Sequence, residues 1–560
     1  MKIINEGSET GIKIEKEETK NLMTVLQKHN IFPGNSCNGN GTCGKCKIRV
    51  ANLQVSVTDF DRKCLSDREV ESGVRLACKI KISELLELEK KEEVILEVLG
   101  NPEENIFVEK ATFMNEISDA GEQDIDREYT EIDAVKDEFF VAIDIGTTTI
   151  AMALVNKKTG EICDTYASLN HQRRFGADII SRIQVSNEGK AHLLKQSIEE
   201  DLWNGIKTFM QVNEERNADA DKDKETSYIR EITKIVIAGN TTMIHLLMGY
   251  SCETLGKYPF FSKHCEQMEC RLSDCITILN EGNESVGKIP VTILPGISAF
   301  VGGDIVSGLL VCPGFETEEL NLLIDLGTNG EIVLGNKKKL LVTSAAAGPV
   351  FEGGNIVCGM ASIPGSICRV KMENRRVIVK TIGNVMPPVG ICGTGLVSII
   401  SQLIQNKQIK TEGELVPPYD KNGITLGSSQ NGQKVALYSS DVRQFQMAKA
   451  AIRSGIEVLI QEYGCKVSEI KNIYLAGGMG VHLLEEDAIC VGMIPEEFRG
   501  KIKVVGNAAL SGAIEYGKRE KNEDKIDLKD KIHEIILRTQ VVSLAKNECF
   551  EKLYFKYMEF

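Results

Sequence analysis

The sequence predicts a multidomain chain of α+β and α/β class, built from a small cysteine-rich domain, an acidic linker and a two-lobed α/β unit. Three observations lead there. Cys37, Cys43, Cys46 and Cys78 gather near the N-terminus in a spacing that the remaining cysteines do not share. Residues 101–138 turn acidic and lose their hydrophobic period. Beyond Phe139, two apolar strands each end in an Asp-x-Gly-Thr turn that leads into a further apolar strand. At 560 residues the chain exceeds what one hydrophobic core accommodates, so several domains are required.

The first domain is assigned to residues 1–98. Its signature is SCNGNGTCGKCKIRV followed by RLAC, which sets Cys37-x5-Cys43-x2-Cys46 with Cys78 further on. Three thiolates from one loop must wrap around two irons. Gly39, Gly41 and Gly44 allow that loop positive-φ turns and bring backbone N–H groups close to the sulfides. A plant-type [2Fe–2S] site uses C-x4-C-x2-C plus a remote cysteine. With one more residue in the first gap, this loop resembles that of the adrenodoxin-like ferredoxins. Zinc is the competing reading, but such a zinc site takes two C-x2-C pairs and only one is present. The expectation is a [2Fe–2S] cluster on Cys37, Cys43, Cys46 and Cys78. Asn21–His29 reads as a helix before the loop and Lys47–Val50 as a strand after it, which suits a ferredoxin-type β-grasp. Cys64, in the charged run DRKCLSD, reads as a spectator.

The linker, residues 99–138, reads as a solvated tether that lets an electron carrier visit two partners. A net charge of −14 argues against nucleic acid as the main partner, because phosphate binding needs a basic face. No stretch approaches the roughly 20 apolar residues of a membrane span. The start, MKIINEGSETG, lacks the basic and apolar regions of a secretory signal, so a cytoplasmic location is expected. Seventeen cysteines, an odd number, do not read as a disulfide framework and suit a reducing, anaerobic cell. Single ones such as Cys163, Cys312, Cys368 and Cys490 read as small buried apolar residues.

The α/β part is divided by sequence into 139–230, 231–520 and a closing strand and helix over 521–560. In FFVAIDIGTTTIAMALVN, the tip made of Gly146, Thr147, Thr148 and Thr149 presents N–H groups and hydroxyls suited to a phosphate. Asp144, just before it, suits a Mg²⁺-bound water. This is not a Walker loop, which needs G-x4-G-K-[ST] and a following helix. LLIDLGTNGEIVLG repeats the device with Asp325, Gly327, Thr328 and Asn329 about 180 residues later. One such hairpin is only a turn between strands; two in matching contexts suggest a duplication whose lobes clamp one nucleotide's phosphates. IYLAGGMG offers a backbone-only turn, Gly477, Gly478 and Gly480, suited to adenine and ribose. Asp304 heads a small-residue helix before the second hairpin, and VVGNAALSGAIEYG reads as a turn into another helix.

In this order the motifs resemble those of the acetate and sugar kinase, Hsp70 and actin superfamily. The resemblance implies an actin/Hsp70-like ATPase that binds ATP and Mg²⁺, with Asp144, Asp304 and Asp325 organising the metal and the attacking water. Joined to a [2Fe–2S] domain, the chain resembles the reductive activators of corrinoid proteins over nearly its whole length. The stretches that carry this are NHQRRFGADIISRI, IAGNTTMIHLLMG with Asn240, SAAAGPVFEGGNIVCGM, GICGTGL with Gly393 and Thr394, and DVRQFQMAKAAIRSGI. They look like nucleotide and lobe-contact segments. The implied activity is ATP-dependent transfer of one electron that reduces Co(II) to Co(I) in a corrinoid protein of a methyltransferase system. An upstream low-potential electron donor is implied as well, and a homodimer is an open expectation. No [4Fe–4S] cysteine set follows Cys490, which places the chain in the [2Fe–2S] branch.

Other readings stay open. A small-molecule kinase with an appended redox sensor would use Asp304 as its base, and an Hsp70-like remodelling factor would carry the cluster as structure. A dehydratase activator fits less well, since those relatives hold a [4Fe–4S] cluster between subunits and have no ferredoxin domain. Cys265, Cys270 and Cys275 with His264 fit no zinc spacing and read as a surface excursion. Cys358 and Cys392 read as packing residues rather than nucleophiles.

Overall fold

The computed structural model describes residues 2–5, 8–11, 21–28, 46–51, 55–65, 67–89, 94–99, 138–210, 231–278, 284–373, 376–429, 432, 434–479, 483–518 and 528–560. Most of the linker therefore lies outside the described residues, although its last residue, Glu138, opens a strand instead of ending a tether.

Short alternating segments build the N-terminal sheet. Its strands are Lys2–Asn5, Ser8–Gly11, Lys47–Val50, Val74–Leu76 and Ile95–Val98, in the spatial order second, first, fifth, third, fourth. The first and fifth run parallel and the other neighbours antiparallel. Helix Leu22–Lys28 buries Leu22, Val25 and Leu26 with Ile48, Leu76 and Leu96. A five-stranded sheet packed on this helix is the expected β-grasp.

Two six-stranded sheets dominate the rest, with a smaller three-stranded and a two-stranded sheet beside them, and the two large ones repeat one plan. In the first, Glu138–Ile145, Thr149–Asn156 and Ile162–Leu169 make an antiparallel meander, and Glu231–Gly239 runs parallel beside its first strand. In the second, Leu320–Leu326, Gly330–Gly335 and Leu340–Ala345 make the meander, and Ile470–Ala476 is the parallel neighbour. The central strands are buried on both faces, which explains their continuous apolar runs. Position 230/231, a boundary in the sequence reading, falls inside the first sheet. Periodicity alone did not reveal that Glu231–Gly239 returns to pair with the first hairpin strand.

The sheets share an apolar layer in which Phe140, Ala142 and Val236 of the first meet Leu323, Val333 and Ala476 of the second. Helices Gly303–Leu310 and Ala508–Lys518 cross inside it through small residues. Ser307 Oγ donates to the Ala509 carbonyl at 2.6 Å, and a Cβ on Gly512 would run into the Ser307 carbonyl. This close crossing fixes the helix heads, and with them Asp304 and Asn507.

The C-terminal part is helix Leu528–Leu537, strand Thr539–Val541 and helix Phe550–Met558, so one helix more than expected. The strand extends the second sheet beside Leu340–Ala345, and the last helix packs on the long helix Ser439–Tyr463. The scattered cysteines divide differently from expectation. Cys312 is buried, Cys368 and Cys490 are half-buried and Cys163 is exposed, since it sits outward on an edge strand. Nor is 265–275 a surface excursion: Met268–Arg271 pairs with Pro290–Ile293, and Cys275 is buried with its sulfur 3.4 Å from that of Cys270. Among the described residues, no helix is long and apolar enough to cross a membrane.

The helix crossing sets a stability test. Gly512→Ala forces a methyl group against backbone and is expected to destabilise the α/β unit by about 1–3 kcal/mol. Urea unfolding followed by circular dichroism measures this, and an unchanged midpoint would contradict the close approach.

Candidate functional site

Two of the four expected cluster cysteines lie among the described residues. Cys46 precedes strand Lys47–Val50 and Cys78 follows Val74–Leu76, and the antiparallel pairing of these strands brings their ends together. The two buried sulfurs lie 3.4 Å apart. The turn is pinned from several sides. Ala77 N–H donates to the Cys46 carbonyl at 2.8 Å, and Leu76 N–H donates to Asp61 at 2.9 Å. Buried Arg75 donates to the Val55 carbonyl at 3.1 and 2.9 Å and to the carbonyls of Val70 and Val74. RLAC is thus one unit in which Arg75 and Leu76 aim Cys78. Cys37, Cys43 and the loop glycines 39, 41 and 44 lie outside the described residues.

The second site is the meeting of the two hairpin tips. Gly146 N–H donates to Thr149 and Gly327 N–H to Asn329, both at 3.0 Å, which closes each turn. The Thr148 and Thr328 hydroxyls, 180 residues apart in sequence, lie 3.2 Å from each other. A cavity of about 270 Å³ opens there. Asp144, Gly146, Thr147, Thr148, Thr149, Asn240, Asp304, Asp325, Gly327, Thr328, Asn329, Gly477 and Gly478 all line it, so most of the expected nucleotide residues converge. Asn240 also caps helix Thr241–Met248 by accepting from Thr242 N–H at 3.0 Å.

Two expected residues do not line it. A Cβ on Gly393 would strike the Phe351 carbonyl, and Thr394 is buried with its hydroxyl 3.2 Å from Cys392 Sγ. They start helix Gly393–Gln405 one layer behind Phe351 and Met479, which do face the cavity. The glycine there permits close backbone packing rather than ligand approach. Gly480 lies outside the described residues.

The cavity is strongly acidic. Burial pushes Asp144 up to about 7, against the Asn507 side-chain amide, which donates to it at 2.9 Å, and with help from Asp304. Burial also raises Asp304 to about 6 and, with the charges of Asp304 and Asp144, Asp325 to about 7. Glu331 stands well above the usual range and Glu352 is raised, in both cases by burial first. Carboxylates crowded this way are held either by protons or by a cation. Hard oxygen donors beside hydroxyls and backbone N–H groups fit a divalent cation with a phosphate chain.

Sequence reasoning missed four residues. Glu352 lies in SAAAGPVFEGG without being singled out, and Glu331 faces Asp325 across the second hairpin. Asn507 was passed over in VVGNAAL although it holds Asp144. Arg182 is fully buried and donates to the Thr147 carbonyl at 2.6 Å; burial lowers it to about 9, still a cation at neutral pH.

Three family models match in tandem. They are a 2Fe-2S iron-sulfur cluster binding domain over 5–83, the RACo middle region over 139–315, and the C-terminal domain of RACo, the ASKHA domain, over 319–560. The chain belongs to the RACo family. Its two RACo models part between the two large sheets. The fold class is as expected: a ferredoxin-type iron–sulfur domain followed by an ATP-binding ASKHA unit. Corrinoid activation enzyme RamQ of Eubacterium limosum is 31% identical over 397 residues, which is 67% of this chain and 63% of that protein. The chain thus spans less than two thirds of that relative's length. The [Co(II) methylated amine-specific corrinoid protein] reductase of Methanosarcina barkeri is 24% identical over 441 residues, 74% of this chain and 75% of that one. Among solved structures, a reductive activator for corrinoid, iron-sulfur protein matches with a TM-score of 0.67 at 26% identity, covering 100% of this chain and 98% of the other.

The raised carboxylates give a pH test. Asp325 takes up a proton on folding between its ordinary 3.8 and about 7, so its contribution to stability is full below that window and is lost as pH rises through it. Without nucleotide or Mg²⁺, stability is expected to fall from pH 5 to pH 8, and less steeply in Asp325→Asn. Urea midpoints across that range measure it; an equal or steeper fall in the variant would contradict the assignment.

Proposed function

We propose that this chain is an ATP-dependent reductive activator of a corrinoid protein, delivering one electron that returns cobalt from Co(II) to Co(I). The observation that carries the reading is one chain that joins a converging, buried thiol pair to a two-hairpin acidic cleft. The names of its RACo relatives point to corrinoid chemistry and supply the partner class.

Cys37, Cys43, Cys46 and Cys78 would hold a [2Fe–2S] cluster, which supplies a single electron at about −400 mV. The buried sulfurs of Cys46 and Cys78 fit such a ligand set, since two thiolates on one tetrahedral centre must lie close together. An upstream low-potential donor refills the domain between turnovers, and a cytoplasmic location suits these partners.

The cleft's own residues do the gating. Hydroxyls of Thr147, Thr148 and Thr328 and the N–H groups of both tips donate to phosphate oxygens. Asp144, Asp304 and Asp325 would hold Mg²⁺ and its waters, and Asn507 keeps Asp144 aimed inward. Because the two tips belong to different sheets, a nucleotide that touches both biases how the sheets sit together. That bias is a coupling free energy available to an electron-delivery complex. Residues 1–98 then serve as electron carrier and 139–560 as the ATP-driven gate.

The test is anaerobic. Reduced protein, Mg–ATP and a Co(II) corrinoid protein are expected to produce the Co(I) absorption band, and Cys78→Ser is expected to reduce that signal to the level without enzyme. ATP-dependent Co(I) formation that survives Cys78→Ser would contradict the electron-transfer role. A phosphorylated small molecule in place of Co(I) would favour a kinase.

A further inference from the structure

Glu352 occupies the place of an anion. It ends the short turn Pro349–Glu352, and its Oε2 accepts from Thr148 Oγ1 at 2.8 Å and from Thr328 Oγ1 at 2.6 Å. Those hydroxyls belong to the two hairpin tips, so a single carboxylate oxygen bridges both sheets. Arg173 and Arg182 act on the same carboxylate electrostatically, and Arg182 is anchored behind the first tip on the Thr147 carbonyl. Two hydroxyl donors and two guanidinium charges around one oxyanion form a donor set for phosphate.

Three of the other cavity carboxylates are engaged elsewhere. Asp144 accepts from Asn507, Asp304 from Ile305 N–H at the head of its own helix, and Glu331 from Ser344 at 2.9 Å. Among the described residues, Glu352 is the carboxylate that ties the two tips together.

We propose that Glu352 fills the terminal-phosphate subsite, so that a nucleoside triphosphate must displace it and a diphosphate need not. This rests on the reading of the cleft as an ATP site. The two hydroxyls cannot serve the carboxylate and a γ-phosphate at once, and the γ-phosphate brings like charge against Glu352. Displacement moves the turn Pro349–Glu352. Phe351 within that turn lies against Gly393, at the head of helix Gly393–Gln405, so the movement passes into the layer behind the cleft. Glu352 thereby makes the protein sense the third phosphate and sets its discrimination between triphosphate and diphosphate.

The experiment measures calorimetric dissociation constants of the full chain with Mg²⁺ for ADP and for the β,γ-imido analogue of ATP. Glu352→Ala is expected to tighten the analogue about tenfold, the factor that 1.4 kcal/mol supplies, and to leave ADP nearly unchanged. Glu352→Gln keeps an acceptor for the hydroxyls without the charge, so its affinity for the analogue should fall between, and it serves as the test if the alanine variant does not fold. Analogue affinity unchanged or weakened in the folded variants would overturn the proposal, as would equal tightening of ADP. Retained ADP binding with unaltered discrimination overturns this proposal alone. Wild-type protein that binds neither nucleotide overturns the ATP reading and the proposal together.

Discussion

Contact between two hairpin tips is the constraint on which this molecule depends. Thr148 and Thr328 come within hydrogen-bonding distance although each ends a strand pair of a different sheet. They can do so because the sheets share one apolar layer and because the helices headed by Asp304 and Asn507 cross through small residues. A shift of either sheet would open the tips, and an agent that bridges the tips would fix the sheets. Packing therefore determines where the acids stand, and the acids determine what the cleft can bind.

The second consequence is electrostatic. Asp144, Asp304, Asp325, Glu331 and Glu352 face one cavity, and each has its pKa raised chiefly by burial. Such a site takes protons or a cation readily, and a phosphate chain enters it only in company with positive charge. The crowding is unfavourable by itself, and on the proposed reading Mg–nucleotide would relieve it and make binding energy available for rearranging the lobes. The N-terminal domain uses the opposite arrangement. Its cysteine-bearing turn is held by a hydrogen bond that Leu76 N–H donates to Asp61 and by those that Arg75 donates to backbone carbonyls, which leave little freedom for Cys46 and Cys78.

What the sequence made legible was local. An apolar strand, a carboxylate and a glycine turn are contiguous, so both Asp-x-Gly-Thr hairpins could be identified and their convergence anticipated. The spacing of Cys46 and Cys78 likewise encodes a loop and a remote strand end. Glu352 escaped notice because its partners sit 204 and 24 residues away, and nothing in its own segment distinguishes it from a surface glutamate. Gly393 and Thr394 misled for a related reason: a glycine that admits a neighbouring backbone and one that admits a ligand have the same sequence signature. The segment limit at 230 falls inside a sheet because strand Glu231–Gly239 pairs with a hairpin strand nearly a hundred residues earlier, a pairing of topology rather than of pattern.

Nucleotide in the cleft is held to govern electron departure from the cysteine-rich domain, and a single-turnover measurement addresses that most directly. The protein is reduced, freed of reductant and mixed with a Co(II) corrinoid protein, while electron paramagnetic resonance follows the reduced cluster and Co(II) together. With Mg–ATP, the two signals should disappear one for one; with Mg–ADP or no nucleotide, both should persist. Loss of Co(II) at the same rate without nucleotide, or with the cluster signal undiminished, would contradict the account.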